Sequence, residues 1–135
     1  MKELTLAATV ENIEAATDFV NEILETMDCP MKAQMQIDIS VEEIFVNISQ
    51  YAYPGGVGYA DIQISGSSSD GRFIIVFRDR GIPYDPLRKS DPDITLGAED
   101  RPIGGLGIFM VKKNMDKLEY SRSGGENILT MTKNA

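Results

Sequence analysis

The sequence predicts an α+β fold: a two-layer α/β sandwich in which three helices pack on one face of a mixed, mostly antiparallel sheet. Three observations predict it. Two long segments with apolar residues at helical spacing follow a first short strand. Two pairs of strand-like segments come later, and a third, shorter helical segment separates them. This order of strand, helix, helix, two strands, helix and two strands is typical of helices covering one face of a sheet.

The first half of the chain supplies two of the helices. Residues 3–9 alternate apolar and polar side chains and predict the first strand, and Thr9 is a candidate cap for the helix that follows. From Glu11 to about Asp28, apolar residues recur at three- and four-residue intervals, which predicts an amphipathic helix. A second helix is predicted from about Met31 to Tyr51. We expect its core face to consist of Met35, Ile37, Ile39, Val41, Ile44, Phe45 and Ile48.

Two strands and a long irregular segment follow. Residues 58–66 and the more apolar residues 72–79 predict strands joined by a Ser- and Gly-rich turn, with the second strand central in the sheet. From Tyr84 to Arg101 the periodicity is lost while prolines and charges accumulate. A loop of this length inside a compact domain is usually functional or mobile.

The last third of the chain is predicted to hold one helix and two strands. A run of glycines opens the third helix, which we expect from Ile108 to about Asp116. Two closing strands, Lys117 to Arg122 and Asn127 to Lys133, are joined by a turn with two glycines.

Composition limits the classes of function. A length of 135 residues predicts one domain over the whole chain, and a net charge of −8 argues against direct binding of nucleic acid. We expect a cytoplasmic protein, because the chain has a single cysteine and neither a membrane-length apolar run nor a secretory signal. The chain has no histidine, so a carboxylate becomes the first choice for a general base.

A polar pair stands out within the second helix. Glu43 and Asn47 are four residues apart, so they share one helix face inside a strongly apolar segment. Burying a carboxylate and an amide without partners costs free energy. Either this face turns to water, or something polar lies against it. A magnesium ion with a nucleotide phosphate suits the second case, since Asn offers a neutral oxygen ligand and Glu accepts a proton.

Two further motifs follow downstream. Asp79 ends a predicted strand two residues before Gly81, which places a hydrogen-bond acceptor beside a turn where a flat ring such as adenine could approach. Gly104, Gly105 and Gly107 precede a predicted helix, where free N–H groups attract phosphate oxygens. Each motif alone favours an ordinary turn or a capped helix over a ligand site.

Together, E-x-x-x-N on a helix, D-x-G after a strand and G-G-L-G into a helix resemble the nucleotide site of the GHKL ATPase superfamily. That superfamily includes gyrase, mismatch-repair and chaperone ATPases and histidine kinases. Four longer segments are similar to those of the anti-sigma factor serine kinases: EEIFVNISQYAYP, FRDRGIPYDP, GGLGIFMVKKNMD and GGENILTMTK. The resemblance covers nearly the whole chain and implies a histidine-kinase-like ATPase domain with the GHKL fold.

The resemblance implies a role for each motif residue, with ATP and Mg²⁺ as cofactors. Glu43 matches the general base of the family, and Asn47 matches its magnesium ligand. Asp79 matches the carboxylate that reads adenine, Gly81 lies beside it, and Asn127 falls near a family position close to the adenine.

The phosphates would be enclosed by two segments. The glycine loop of the family matches Gly104, Gly105, Leu106 and Gly107. The mobile ATP lid matches residues 86–103, in which Arg88, Lys89 or Arg101 could reach a phosphate.

Three features depart from the family pattern. Relatives often carry His four residues after the Asn, where this chain has Tyr51, and Tyr lacks the near-neutral proton chemistry of His. The glycine loop is G-G-L-G where many relatives have G-x-G-x-G. Glu42 adjoins Glu43, but it points about 100° away on a helix.

The resemblance implies an ATP-dependent serine/threonine kinase with two partners, a sigma factor and an anti-anti-sigma protein that it phosphorylates, and a homodimer. One alternative is a non-catalytic module that binds ATP and switches partner affinity. A third possibility is the ATPase part of a histidine kinase, which would have to act on another protein because this chain has no histidine.

Overall fold

The computed structural model describes residues 1–88 and 105–135, and the side chains of residues 1–87 and 107–135. Its helices and strands follow the predicted order: β1 (Lys2–Ala7), α1 (Ile13–Thr26), α2 (Met31–Tyr51), β2 (Tyr59–Ser67), β3 (Arg72–Asp79), α3 (Gly105–Asn114), β4 (Lys117–Ser123) and β5 (Glu126–Asn134). Short 3₁₀ turns lie at Val10–Asn12 and Pro86–Arg88. Within these described ranges, no helix has both the length and the apolar content needed to cross a membrane.

The five strands form one sheet in the order β1-β2-β3-β5-β4. All four pairings are antiparallel, and β3 lies at the centre as predicted. The turn between β2 and β3 is closed by a hydrogen bond from the Gly71 N–H to the Ser67 carbonyl, at 3.1 Å. The α+β architecture predicted from the element order is therefore confirmed.

One face of this sheet is buried under the helices. Side chains directly opposite each other in antiparallel strands share a face, and Ile62, Phe77, Leu129 and Tyr120 form one such row across four strands. Along β3 the buried residues alternate with partly exposed ones, as expected for a strand covered on one side. The core lies between this face and the helices. Its largest fully buried side chains are Phe45, Phe73, Phe77, Leu24, Ile37, Ile44, Ile62, Ile64, Ile75, Ile108, Met131 and Val20.

The two long helices form an antiparallel hairpin over the sheet. α1 buries Ala16, Val20 and Leu24 at four-residue spacing. α2 begins directly after Pro30 and buries one continuous stripe that includes Ile37 and Ile44. The expected core face of α2 was wrong in two places, because Met35 and Ile39 lie on its exposed side.

Two predicted helix starts also differ from the structure. The Thr9 side chain makes no capping hydrogen bond, and a 3₁₀ turn separates it from α1. α3 begins at Gly105, so Gly105 and Gly107, which were expected to precede the helix, lie in its first turn instead. The N–H groups of a first helical turn have no intrahelical partner, so this turn still offers donors to a ligand.

Gly81 joins the end of β3 to the end of α2 through close packing. The Ile82 N–H donates to the Ala52 carbonyl at 2.9 Å. A Cβ on Gly81 would overlap that same carbonyl oxygen. Because the obstacle is backbone, only a glycine fits here without moving α2 or the strand end.

Gly81→Ala should therefore lower the free energy of unfolding by about 1–3 kcal/mol, the usual cost of an overpacked site. Gly56→Ala is the matched control, since a Cβ there meets nothing within 4 Å. We expect the control to change stability by at most about 1 kcal/mol, in the stabilising direction. Urea unfolding without nucleotide measures both, and equal effects would contradict the packing argument.

Candidate active site

The buried face of the sheet ends in a polar row. Asp79 on β3 lies opposite Asn127 on β5, and Asn127 lies opposite Arg122 on β4. Asp79 and Asn127 are each only 6% exposed. Buried polar groups need hydrogen-bond partners, and in this row each residue supplies partners to the next.

Asn127 is the centre of that network. Its Nδ2 donates to Asp79 Oδ1 at 2.9 Å and to the Ile82 carbonyl at 2.8 Å. Its Oδ1 accepts from the Tyr120 hydroxyl at 2.5 Å and from Arg122 Nη1 at 3.1 Å. Both amide protons are thus used within the protein, so Asn127 positions its neighbours.

Asp79 is held by one of its two oxygens. Oδ1 accepts from the Gly81 N–H at 2.9 Å and from Asn127, whereas no described group donates to Oδ2. A fixed carboxylate with one oxygen to spare is an acceptor for an exocyclic amine.

A small cavity, the α2–sheet cavity, lies between α2 and this end of the sheet. It is lined by Ile44, Asn47, Ile48, Ala52, Phe77, Asp79, Tyr84, Pro86, Tyr120, Asn127 and Leu129. Its volume is ≈ 30 Å³, room for a water-sized molecule, so a purine ring requires the walls to separate. Apolar walls with a carboxylate at one end suit a flat ring that carries an amine at its edge.

Asn47 is the polar residue that α2 contributes to this cavity. It is 7% exposed, and its Oδ1 has no hydrogen-bond partner in the described part of the chain. Leaving a buried acceptor unpaired costs about 1–3 kcal/mol. A cation fits this oxygen, since Mg²⁺ takes oxygen ligands and keeps several waters and phosphate oxygens besides.

One turn before Asn47, the Glu43 carboxylate lies against the start of α3. A Cβ on Gly107 would overlap Glu43 Oε2, so only glycine leaves the carboxylate its place. Burial, and to a smaller extent the negative charge of Glu42, raise the pKa of Glu43 above its ordinary value of 4.5. A raised pKa makes this carboxylate a stronger base.

The structure thus brings most of the residues predicted from the sequence to one region. Asn47, Asp79 and Asn127 line the same cavity, while Glu43 and Gly107 meet beside it. The backbone of Gly105 and Leu106 belongs to the first turn of α3. The backbone of Arg88 ends the second 3₁₀ turn, and Gly104, Lys89 and Arg101 lie outside the described residues.

The sequence reasoning missed the residues that support Asp79 and Gly81. Arg122 Nη1 donates to the Gly81 carbonyl at 2.7 Å. The Tyr53 hydroxyl accepts from the Arg80 N–H at 2.9 Å and donates to the Tyr59 carbonyl at 2.6 Å. Tyr53 lies in the segment EEIFVNISQYAYP but was given no role there, and Arg122 lies in none of the motifs, because only the strand register and the turn after α2 bring these partners together.

Tyr51, at the position where the resemblance leads us to expect a histidine, stacks on Tyr84 with ring centroids 5.3 Å apart. Tyr84 also lines the α2–sheet cavity, and its backbone N–H contacts Asn127 Oδ1 at 3.4 Å. The departure from the family pattern therefore has a structural use: the aromatic ring at position 51 supports a wall of the cavity.

Comparison with known proteins assigns the class. Residues 6–133 match the model of the histidine kinase-like ATPase domain, and the chain belongs to that family. The resemblance predicted from the sequence, to the GHKL superfamily and its anti-sigma factor kinase branch, is confirmed by this match and by the relatives that follow.

The chain is similar to proteins named serine-protein kinase RsbW. It is 33% identical over 99 residues to those of Bacillus thuringiensis and Bacillus cereus and 34% identical to that of Bacillus anthracis. Each match covers 70% of this chain and 60% of the relative. The matched part thus spans less than two thirds of the length of these relatives.

Two solved structures share the fold. One contains the RsbU and RsbW domains of a Mycobacterium tuberculosis protein, with a TM-score of 0.63 and 14% identity over 99% of this chain and 32% of that one. The other is the histidine kinase domain of a blue-light activated kinase from Erythrobacter litoralis, with a TM-score of 0.58 and 17% identity over 93% and 60% of the two chains.

The environment of Glu43 predicts how stability depends on pH. Because its pKa is higher in the folded state, that state binds more protons, so stability falls as pH rises from about 4.5 through the raised pKa. Glu43→Gln removes the ionised group. We expect it to be more stable than the wild type at pH 7, by less than about 1 kcal/mol for a partly exposed group, and to lose that advantage below pH 4.5.

Urea unfolding between pH 4 and 8, without nucleotide or metal, measures this difference. Glu42→Gln is the control, and it should keep most of the pH dependence because burial is the larger cause of the shift at Glu43. A Glu43→Gln protein that is less stable than wild type at pH 7 would show that the carboxylate has a favourable partner.

Proposed function

We propose that this domain binds ATP and transfers the γ-phosphoryl group to a serine or threonine hydroxyl of a partner protein. The partner would be of the anti-anti-sigma class, and the domain would also bind a sigma factor, as an anti-sigma-factor-type kinase does. The observation that carries the proposal is the line of groups along α2. Asn47 Oδ1, which has no hydrogen-bond partner among the described residues, lies at the α2–sheet cavity, and the Glu43 carboxylate lies one helical turn earlier, against Gly107 in the first turn of α3.

The base end of the nucleotide would lie in the α2–sheet cavity. Asp79 Oδ2 would accept a hydrogen bond from the exocyclic amine of adenine, while Asn127 and the Gly81 N–H hold Oδ1 in place. The ring would enter between α2 and Tyr84, and this requires the wall formed by Tyr84 and Pro86 to move outwards.

The phosphate end would extend past Asn47 towards Gly107. The N–H groups in the first turn of α3 lack intrahelical partners and would bind the phosphate oxygens here. Asn47 would hold a magnesium ion, whose chemical contribution is to neutralise charge on the phosphates.

Glu43 would act on the partner's hydroxyl. It takes the hydroxyl proton while the hydroxyl oxygen bonds to the γ-phosphorus and the bond to the departing ADP oxygen breaks. The raised pKa of Glu43 suits a base that must receive a proton near neutral pH. Positioning by Asn47, Asp79 and the α3 turn supplies the rest of the rate enhancement, as is general for phosphoryl transfer.

The names of the relatives support a kinase, since they are called serine-protein kinases. A second candidate is a non-catalytic switch that binds ATP and changes its affinity for a partner. It is favoured by Tyr51, which stacks on Tyr84 and cannot replace a histidine in proton chemistry. We further propose a cytoplasmic location and a homodimer, as the resemblance implies.

The Glu43→Gln variant distinguishes nucleotide binding from phosphoryl transfer. The variant should keep nucleotide binding, measured as a rise in unfolding free energy of about 2.7 kcal/mol at Mg-ATP concentrations 100 times the dissociation constant. It should lose transfer by about 10²–10⁴-fold, the usual contribution of a general base. The assay follows label from γ-³²P-ATP into an anti-anti-sigma protein.

Glu42→Gln is the matched control, because the neighbouring carboxylate is exposed and should leave both properties unchanged. Transfer at the wild-type rate by Glu43→Gln would remove Glu43 as the base. A wild-type protein that binds Mg-ATP but labels no partner would favour the switch. The absence of any nucleotide-dependent stabilisation would contradict both functions.

A further inference from the structure

α2 carries an apolar stripe on its outer side that no described element covers. Met31, Met35 and Ile39 follow at four-residue spacing, and they are 78%, 60% and 40% exposed. Residues at this spacing lie on one helix face. Large apolar side chains that are exposed singly are ordinary, but a continuous row of them marks a surface for a partner.

A groove runs beside this stripe, between the C-terminal part of α1 and the N-terminal part of α2. This α1–α2 groove is lined by Asn21, Glu25, Cys29, Met31, Gln34, Met35 and Asp38, and its volume is ≈ 390 Å³. Its polar floor is fixed, since Asn21 Nδ2 donates to Asp38 Oδ1 at 2.7 Å and Gln34 Nε2 donates to Asn21 Oδ1 at 3.3 Å. The α1–α2 groove is therefore preformed, and methionines line one of its walls.

The charge around this groove is predominantly negative. Residues 11–51, which contain α1 and α2, carry nine acidic side chains and one basic side chain, Lys32. Their net charge of −8 equals that of the whole chain, so the remaining residues are balanced. Glu22, Glu25, Asp28 and Glu42 are exposed in this region. None of the ion pairs found among the described residues involves an acid of the α1–α2 hairpin.

The negative charge of the hairpin favours one kind of occupant for the groove. A second copy of the chain would bring two acidic surfaces together, and an anionic membrane would present negative charge to the hairpin. Repulsion between like charges opposes both associations. A cationic segment with an apolar face is complementary to both the methionine stripe and the acidic side chains. Its apolar residues would cover the methionine stripe while its lysines or arginines lie over the carboxylates.

We propose that the α1–α2 groove is a docking surface for a cationic amphipathic helix of a partner protein. Such a helix lays its apolar face into a hydrophobic groove and reads it through residues at i, i+3, i+4 and i+7. Methionine suits this role, because its flexible thioether adapts to differently shaped side chains. The exposed acidic side chains of the hairpin attract a cationic helix over distance and raise the rate at which the two proteins meet.

This surface is separate from the nucleotide site. None of the residues that line the α1–α2 groove lines the α2–sheet cavity, and Glu43 lies one turn beyond Ile39, towards the C-terminal end of α2. A failed docking test would therefore leave the proposed chemistry intact, and the reverse also holds.

The test uses the full chain and an 18-residue fluorescein-labelled peptide of leucine and lysine, with the leucines at helical spacing on one face. Two control peptides have glutamate for every lysine, or the same composition in scrambled order. Fluorescence anisotropy at low salt and at about 0.3 M NaCl measures binding. We expect the first peptide to bind at least about tenfold more tightly than either control, with an affinity that falls as salt increases.

Two variants with matched controls locate the binding. Met35→Gln, which keeps length and removes apolar surface, should weaken binding by about fivefold or more, whereas Val57→Gln, at an exposed loop position, should not. Glu25→Gln should weaken low-salt binding by about twofold and reduce its salt dependence, whereas Asp70→Asn removes an equal charge in the β2–β3 turn without effect.

Several results would overturn the proposal. Equal weakening by the groove variants and their controls would show that the peptide binds the acidic chain without a site. Equal binding of the scrambled peptide would show the same. Self-association in analytical ultracentrifugation that Met35→Gln abolishes would make a second copy the occupant. Sedimentation with phosphatidylcholine or phosphatidylserine vesicles, lost in the same variant, would make it a lipid surface.

Discussion

The position of α2 against the sheet is the constraint on which the candidate site depends. This helix buries Ile44 and Ile48 against Phe77 and Leu129, and the same packing carries Asn47 into the cavity beside Asp79. At its far end, the Ala52 carbonyl meets Gly81 and fixes the turn after β3. A single helix thus sets the spacing between the carboxylate of Asp79, the Oδ1 atom of Asn47 and the carboxylate of Glu43.

Some polar groups of the site have hydrogen-bond partners within the protein, and others have none among the described residues. Asn127 uses its amide protons on Asp79 and Ile82, which fixes the Asp79 end of the α2–sheet cavity. Asn47 Oδ1, in contrast, is buried without a partner in the described chain. Because leaving a buried acceptor unpaired lowers stability, such an atom is expected where a ligand supplies the missing interaction.

Much of this fold could be predicted from the sequence, because periodicity is a strong signal in long elements. The 21 residues of α2 and the central strand β3 were located correctly by their apolar spacing. The start of α3 was not, since glycines favour turns, whereas the burial of Ile108 and Val111 in the core overrides that preference. Met35 and Ile39 were assigned to the core because spacing alone cannot tell a buried row of apolar side chains from an exposed one.

The motif residues were found from their order along the chain, whereas their supports were not. Arg122 and Tyr53 reach Gly81 and Arg80 only through the strand register and the turn after α2, neither of which leaves a local pattern.

The most direct test of the central claim is paramagnetic broadening in ¹⁵N–¹H spectra of the protein with an ATP analogue and Mn²⁺ in place of Mg²⁺. The side-chain amide of Asn47 and the backbone amide of Gly107 should broaden most relative to the Mg²⁺ sample, and the Gly81 amide should broaden less. Broadening centred on any other group, or none at saturating nucleotide, would contradict the account.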